Sequence, residues 1–173
     1  MTAMVVFSVA TAILLQSLAA GHGLRGSAQE EWLATSIAQN TLEAMRNEAF
    51  RDVVRMYDAD PFNDPGGPGT APGATFAVAS LDPAPDDADG FVGEVLLPVV
   101  NVGSEVAPNW QVREDLGERL LGLPRDLTGD AIIDAANHAD DYRILPVLVR
   151  VRWNGRCGVR ELRFFTSLTE MSS

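Results

Sequence analysis

The chain opens on an unbroken apolar pattern. Met1 to Ala20 carries no charged residue, and Val5, Val6, Phe7, Val9, Ile13, Leu14, Leu15 and Leu18 are separated only by small or neutral polar side chains. At about 1.5 Å per helical residue, such a run reaches about 30 Å, the depth of a bilayer's hydrocarbon layer, so the pattern predicts a helix able to span one. A period near 3.6 follows. Ala38, Leu42, Met45, Ala49, Val53 and Met56 recur at steps of three and four, which places them on one helical face. Gln29, Glu30, Glu43, Arg46, Asn47, Glu48, Arg51 and Asp52 fall on the other, the face that meets water. The two patterns together predict a helix running to about Met56, with an apolar first half and a second half packed on a globular domain.

Two other readings of the apolar run compete with a span. A secretory signal peptide also pairs an apolar stretch with small residues, and Leu18-Ala19-Ala20-Gly21 offers a cleavage point. Such peptides begin with Lys or Arg, whereas the first positive charge here is Arg25, beyond the run. A buried core helix is the third reading, and it is disfavoured by the length of the uncharged stretch.

After the helix the pattern changes. Asp58 to Asp89 is rich in Pro, Gly, Asp and Ala, which remove backbone donors and raise the entropic cost of regular structure, so it reads as loop with one short strand inside Ala74 to Leu81. Its glycines are followed by no Lys-Ser or Lys-Thr, which separates them from a phosphate loop. Phe91 to Val102 is Val-rich, with Gly93 and Pro98 marking a bulge or an edge. In Ile144 to Trp153, Val147, Val149, Val151 and Trp153 alternate with Leu148, Arg150 and Arg152, the period of a half-buried strand with an arginine face. Asn154 to Gly158 supplies turn residues, and Val159 to Leu168 returns with Leu162, Phe164, Thr166 and Leu168 on one side, which predicts a hairpin.

Composition adds an uneven charge to this picture. The net charge is -11, and residues 58–141 hold seventeen acids against three Arg, whereas residues 142–173 hold six Arg against two acids. An acidic belt disfavours nucleic acid, whose phosphates call for Lys and Arg, so no nucleic-acid partner is expected. The chain has no lysine, a feature of composition more than of mechanism. Cys157 is the single cysteine, so no intrachain disulfide forms, and between Gly155 and Gly158 it reads as a small turn residue. With 173 residues and roughly 55 of them helical, about 115 remain, enough for one domain.

The strings Thr2-Ala3-Met4-Val5-Val6-Phe7-Ser8-Val9-Ala10, Leu14-Leu15-Gln16-Ser17-Leu18 and Ile37-Ala38-Gln39-Asn40-Thr41-Leu42-Glu43-Ala44-Met45-Arg46 resemble the N-terminal helix of type IV pilins. They are closest to the minor pilins and the pseudopilins of type II secretion. The ending, Leu145 to Trp153 through Thr166-Ser167-Leu168, looks like the terminal hairpin of minor-pilin domains. In that family a basic leader ends in Gly, a peptidase cuts after it, the new N-terminal residue is methylated, and a nearby Glu guides assembly. None of these positions has a counterpart here, because the chain begins inside the apolar helix; the resemblance points to a start upstream of Met1 or to a truncated copy. It also implies that the loop joining helix to sheet carries recognition specificity.

One constellation invites a chemical reading. From Asp126 to Asn137, side-chain oxygens fall on Asp126, Thr128, Asp130, Asp134 and Asn137, with the aliphatic Ile133 at the eighth position. This spacing resembles a calcium loop of the EF-hand or dockerin type, in which several oxygens converge on a hard cation. Ala131 stands where the turn asks for Gly and Asn137 where a carboxylate closes the site, while Asp140 and Asp141 offer substitutes. The alternative is an acidic surface loop.

No enzyme is expected: His22 and His138 are the two histidines, and the chain has neither a His-Glu-x-x-His motif nor a Gly-x-Ser-x-Gly elbow. The expected fold class is α+β, a long N-terminal helix, membrane-spanning in its first half and amphipathic in its second, packed on a small antiparallel sheet domain. Residues 1–21 form the membrane or filament-core helix, 22–57 its amphipathic continuation, and 58–173 the extracytoplasmic domain. The expected function is a structural subunit of a type IV pilus or type II secretion pseudopilus, acting by helix packing. Val5, Phe7, Val9, Ile13, Leu14 and Leu18 are its membrane and assembly residues. Inner-membrane lipid and other pilin-like subunits are the partners, and calcium is the one candidate cofactor. The placement is single-pass in the bacterial inner membrane, with the C-terminal domain periplasmic or on an extracellular filament. The alternative function is a membrane-anchored or secreted extracytoplasmic binding module that uses its acidic loops.

Overall fold

The computed structural model describes residues 26–104 and 108–170. Helix α1 covers residues 26–47, and the short helix α2 follows at Val53–Tyr57. The strands are β1 (Thr75–Phe76), β2 (Gly93–Leu96), β3 (Val99–Asn101), β4 (Trp110–Val112), β5 (Ile144–Gly155) and β6 (Gly158–Thr169), with a 3-10 turn at Arg119–Leu121. Four of the strands form one antiparallel sheet in the order β1-β2-β5-β6, and β3 pairs with β4 in a second. Pro98 separates β2 from β3, as its missing N–H requires within a Val-rich run.

The long hairpin organises the rest. Leu145, Val147, Val149, Val151 and Trp153 of β5 are all buried on one face, and each contributes about 1.5–3 kcal/mol by leaving water. Helix α1 lies over that face, presenting Ala34, Ala38, Leu42 and Met45 to the same core. Its direction follows from its polar ties. Glu30 accepts from the Trp153 indole at 3.5 Å and faces Arg156 at 3.5 Å, Glu31 faces Arg160 at 3.5 Å, and Arg46 donates to the Thr166 hydroxyl at 3.4 Å. The helix therefore runs alongside β6 in the same direction, from the hairpin tip towards the chain end. Ala34 and Ala38, both fully buried, let its backbone approach the sheet.

The other face of the sheet is an ion-pair ladder at its tip end and apolar at its base. Arg150 pairs with Glu94, Arg152 with Asp86 at 2.6 Å, and Arg163 with Glu161. The arginine face read from the sequence, Arg150 and Arg152, is thus matched by acids from two separate segments, and Arg163 pairs within its own strand. Nearer the base, Leu148 is 3% exposed, and the 3-10 turn packs against β5.

Several expectations need correction. The α+β fold built on a membrane-spanning helix gives way to a mostly sheet architecture with two antiparallel sheets. Among the described residues no helix is long and apolar enough to cross a membrane, because helix α1 carries Glu30, Glu31, Glu43 and Arg46. That finding overturns the single-pass inner-membrane placement. Val5, Phe7, Val9, Ile13, Leu14 and Leu18, on which the membrane reading rested, lie outside the described residues. The amphipathic stripe is also divided: the chain leaves helical geometry at residues 48–52, so Ala49 is exposed and Val53 re-enters the core from α2.

Candidate functional site

The loop from Asp126 to Tyr142 carries every sequence-predicted ligand, and its backbone N–H groups converge on one of its carboxylates. Asp126 Oδ1 accepts from Thr128 N at 3.0 Å, Thr128 Oγ1 at 3.1 Å and Gly129 N at 2.6 Å, and Asp126 Oδ2 accepts from Ala131 N at 2.8 Å. Four donors of the loop, three of them backbone N–H groups, thus turn inward around one carboxylate. These hydrogen bonds, from Gly129 and Ala131 foremost, hold the Asp126 carboxyl below the ordinary aspartate range. The left-handed turn that a calcium loop makes at its sixth position is present, with Ala131 at φ 67°.

The remaining candidates are drawn to separate partners. Asp130 Oδ1 accepts from Ile132 N at 2.8 Å, and Asp134 Oδ1 accepts from Ala136 N at 2.7 Å. Asn137 Oδ1 accepts from Val112 N at 3.1 Å and from Ala139 N at 3.1 Å, which fastens the loop to β4. Among the described residues no group of three or more His, Cys, Asp or Glu is arranged to hold a metal.

What the fold does bring together is a histidine among carboxylates. His138 is 7% exposed, with Nδ1 3.1 Å from Asp141 Oδ1 and Nε2 3.2 Å from Asp134 Oδ1. Behind it, Glu114 is 1% exposed; its Oε2 lies 3.8 Å from His138 Nε2, and its Oε1 accepts from Leu127 N at 2.6 Å and Thr128 N at 3.0 Å. Burial pulls the His138 pKa down, but the hydrogen bonds to Asp134 and Asp141 and the charge of Glu114 outweigh it and leave the pKa raised. Both ring nitrogens face carboxylates, so the imidazolium form is favoured and neither nitrogen is left to act as a base or a ligand. The node is an electrostatic clasp: Glu114 closes the start of the loop onto β4, and His138 closes its end. Sequence reasoning placed His138 in the acidic loop without a role and passed over Glu114, which nothing in Arg113-Glu114-Asp115 distinguishes from a solvated charge run.

A second feature is the outer side of helix α1. Trp32 is 67% exposed there, beside Ala28, Gln29 and Glu31. A third is an open groove of about 460 Å³ bordered by Tyr57, Leu96, Val99, Trp110 and Leu121, where the two sheets meet.

Searches against protein-family models, curated proteins and solved structures return no match to this chain. The pilin and secretion vocabulary therefore draws no support from known proteins.

Proposed function

We propose that this chain is a structural subunit that packs into a filament through its N-terminal helix and presents the two-sheet body outward. The class of filament is the one its terminal strings resemble, the type IV pilus or the type II secretion pseudopilus. The observation that carries the reading is the one-sided seating of helix α1. Ala34, Ala38, Leu42 and Met45 hold it to the sheet, and ion pairs from Glu30 and Glu31 pin its N-terminal end to the hairpin. Its other side keeps Trp32 in solvent. A helix braced in this way transmits the position of its N-terminal part to the body, which a packing subunit requires. An exposed indole among small and polar residues is a surface suited to a neighbouring helix.

The test is site-directed disulfide crosslinking of the full chain in a Cys157→Ser background, in a cell that assembles such filaments. Single cysteines at Trp32, Gln39 and Glu43, and along Val5 to Leu18, are expected to give a ladder of linked subunits. If these positions yield only uncrosslinked chain, or links to unrelated proteins, the filament reading is wrong and the body acts as a binding module.

A further inference from the structure

Strand β6 is the outermost strand of the four-stranded sheet, and among the described residues no strand pairs with its far side. Which main-chain groups it leaves open follows from the ladder. Arg152 N donates to Val92 O at 2.7 Å, away from β6, so Glu161, its register partner, turns its own N–H and C=O away from β5. By alternation, the N–H and C=O groups of Val159, Glu161, Arg163, Phe165 and Ser167 lie along the open edge. Their side chains stand on the sheet face opposite helix α1, where Val159 and Phe165 are 48% and 53% exposed. The strand spans 12 residues, with its ladder to β5 unbroken from Thr169 to Gly158. Natural proteins blunt such edges with Pro, bulges or charge, since a long regular edge recruits another strand. Here only charge is present, and its order specifies a mate.

We propose that β6 pairs with β6 of a second copy of this chain, antiparallel, about a two-fold axis at Leu162. Open-edge groups must meet open-edge groups, so odd-numbered positions face odd-numbered ones. Centring the pair on Glu161 or on Arg163 sets like charges directly opposite, and centring it on Phe164 sets Arg163 against Phe165. Centring it on Leu162 sets Glu161 against Arg163 of the other copy, twice, and Val159 against Phe165, twice. In that register Leu162 meets Leu162, and Arg160 meets the ring of Phe164, a cation–π arrangement. About eight main-chain hydrogen bonds close the edge. The Glu161–Arg163 contact now made within one strand is exchanged for contacts between strands. The two copies of helix α1 then run in opposite directions, so this pair is distinct from the filament contact proposed above and does not depend on it.

Charge exchange in the full chain tests the register. Glu161→Arg places Arg against Arg in a self-pair, and Arg163→Glu places Glu against Glu, so each variant alone is expected to dimerise about tenfold more weakly than the unmutated chain. Mixed together, the two variants restore opposite charges across the axis and should associate as tightly as the unmutated chain, a rescue that misfolding cannot mimic. Leu162→Cys in a Cys157→Ser chain should also form a disulfide-linked dimer under mild oxidation, because a non-hydrogen-bonded pair brings Cα atoms within disulfide range. Val159→Cys and Phe165→Cys should link only when mixed with each other. A monomeric unmutated chain, variants that associate as it does, or a mixture no tighter than either variant alone would overturn the proposal.

Discussion

The Tyr142 hydroxyl donates a 2.8 Å hydrogen bond to the Phe50 carbonyl, and the two rings lie 4.9 Å apart at 51°. This contact joins the turn that ends helix α1 to the start of the segment leading into β5. Arg51 stacks over the Tyr142 ring at 5.0 Å and reaches Glu170 at 3.1 Å, so the turn is held at three points. Burial raises the Tyr142 pKa to about 12, which keeps the hydroxyl a donor across the working pH range.

Removing that hydroxyl separates its hydrogen bond from its packing. Tyr142→Phe is expected to cost about 1 kcal/mol of unfolding free energy, the net worth of one buried hydrogen bond, and Tyr142→Ala about 3–5 kcal/mol, as for other large-to-small core changes. Chemical denaturation of the two variants measures both. No loss in Tyr142→Phe would mean that the hydroxyl is not used.

The histidine clasp predicts a pH dependence of definite sign. The folded-state pKa of His138 is raised above 6.5, so its stabilisation is fully present below 6.5 and is lost as pH rises through the folded value. The groups facing it are Asp134, Asp141 and Glu114. The melting temperature should fall on going from mildly acidic to mildly alkaline solution, and His138→Gln should flatten that part of the profile. A variant with the original slope would place the titration elsewhere.

In the acidic loop, Asp126 should matter and Asp130 should not. Asp126→Ala frees the N–H groups of Gly129 and Ala131 at once and takes one of two acceptors from that of Thr128, whereas Asp130→Ala frees only that of Ile132. The first should lower the melting temperature clearly more than the second. Because the loop's N–H groups already surround the carboxylate, millimolar calcium and chelator should give the same melting temperature. A calcium-dependent rise abolished by Asp130→Ala would show instead that the loop rearranges around the ion.

Gly93 offers a packing test. A Cβ built there would fall 2.1 Å from the Phe76 ring, which crosses the strand at that point. Gly93→Ala should therefore cost about 1–3 kcal/mol, the usual range for overpacking. Pairing it with Phe76→Leu should recover part of the loss, and thermal denaturation of the single and double variants reads the coupling.

The sequence by itself determined what consecutive residues can encode. The two-residue period from Val147 to Trp153 and its return from Val159 to Leu168 are local patterns, and β5 and β6 lie where those patterns put them. The Pro- and Gly-rich stretch after Asp58 excludes long regular elements for the same local reason, and it holds only the two-residue β1. The tertiary structure decided everything that depends on where distant segments meet. The helical period continues to Met56, yet the chain turns at residues 48–52, where Tyr142 holds the Phe50 carbonyl from 92 positions away. Spacing placed oxygens along the acidic loop, but spacing is silent on backbone direction, and the backbone turned its N–H groups inward around Asp126. Glu114 and Asp115 are adjacent acids in sequence. Burial against His138 and the loop amides makes one of them a structural anion, while the other remains a surface partner of Arg113. Dielectric environment and hydrogen-bond supply are properties of the packed molecule, and for that reason the roles of these residues became legible only in the fold.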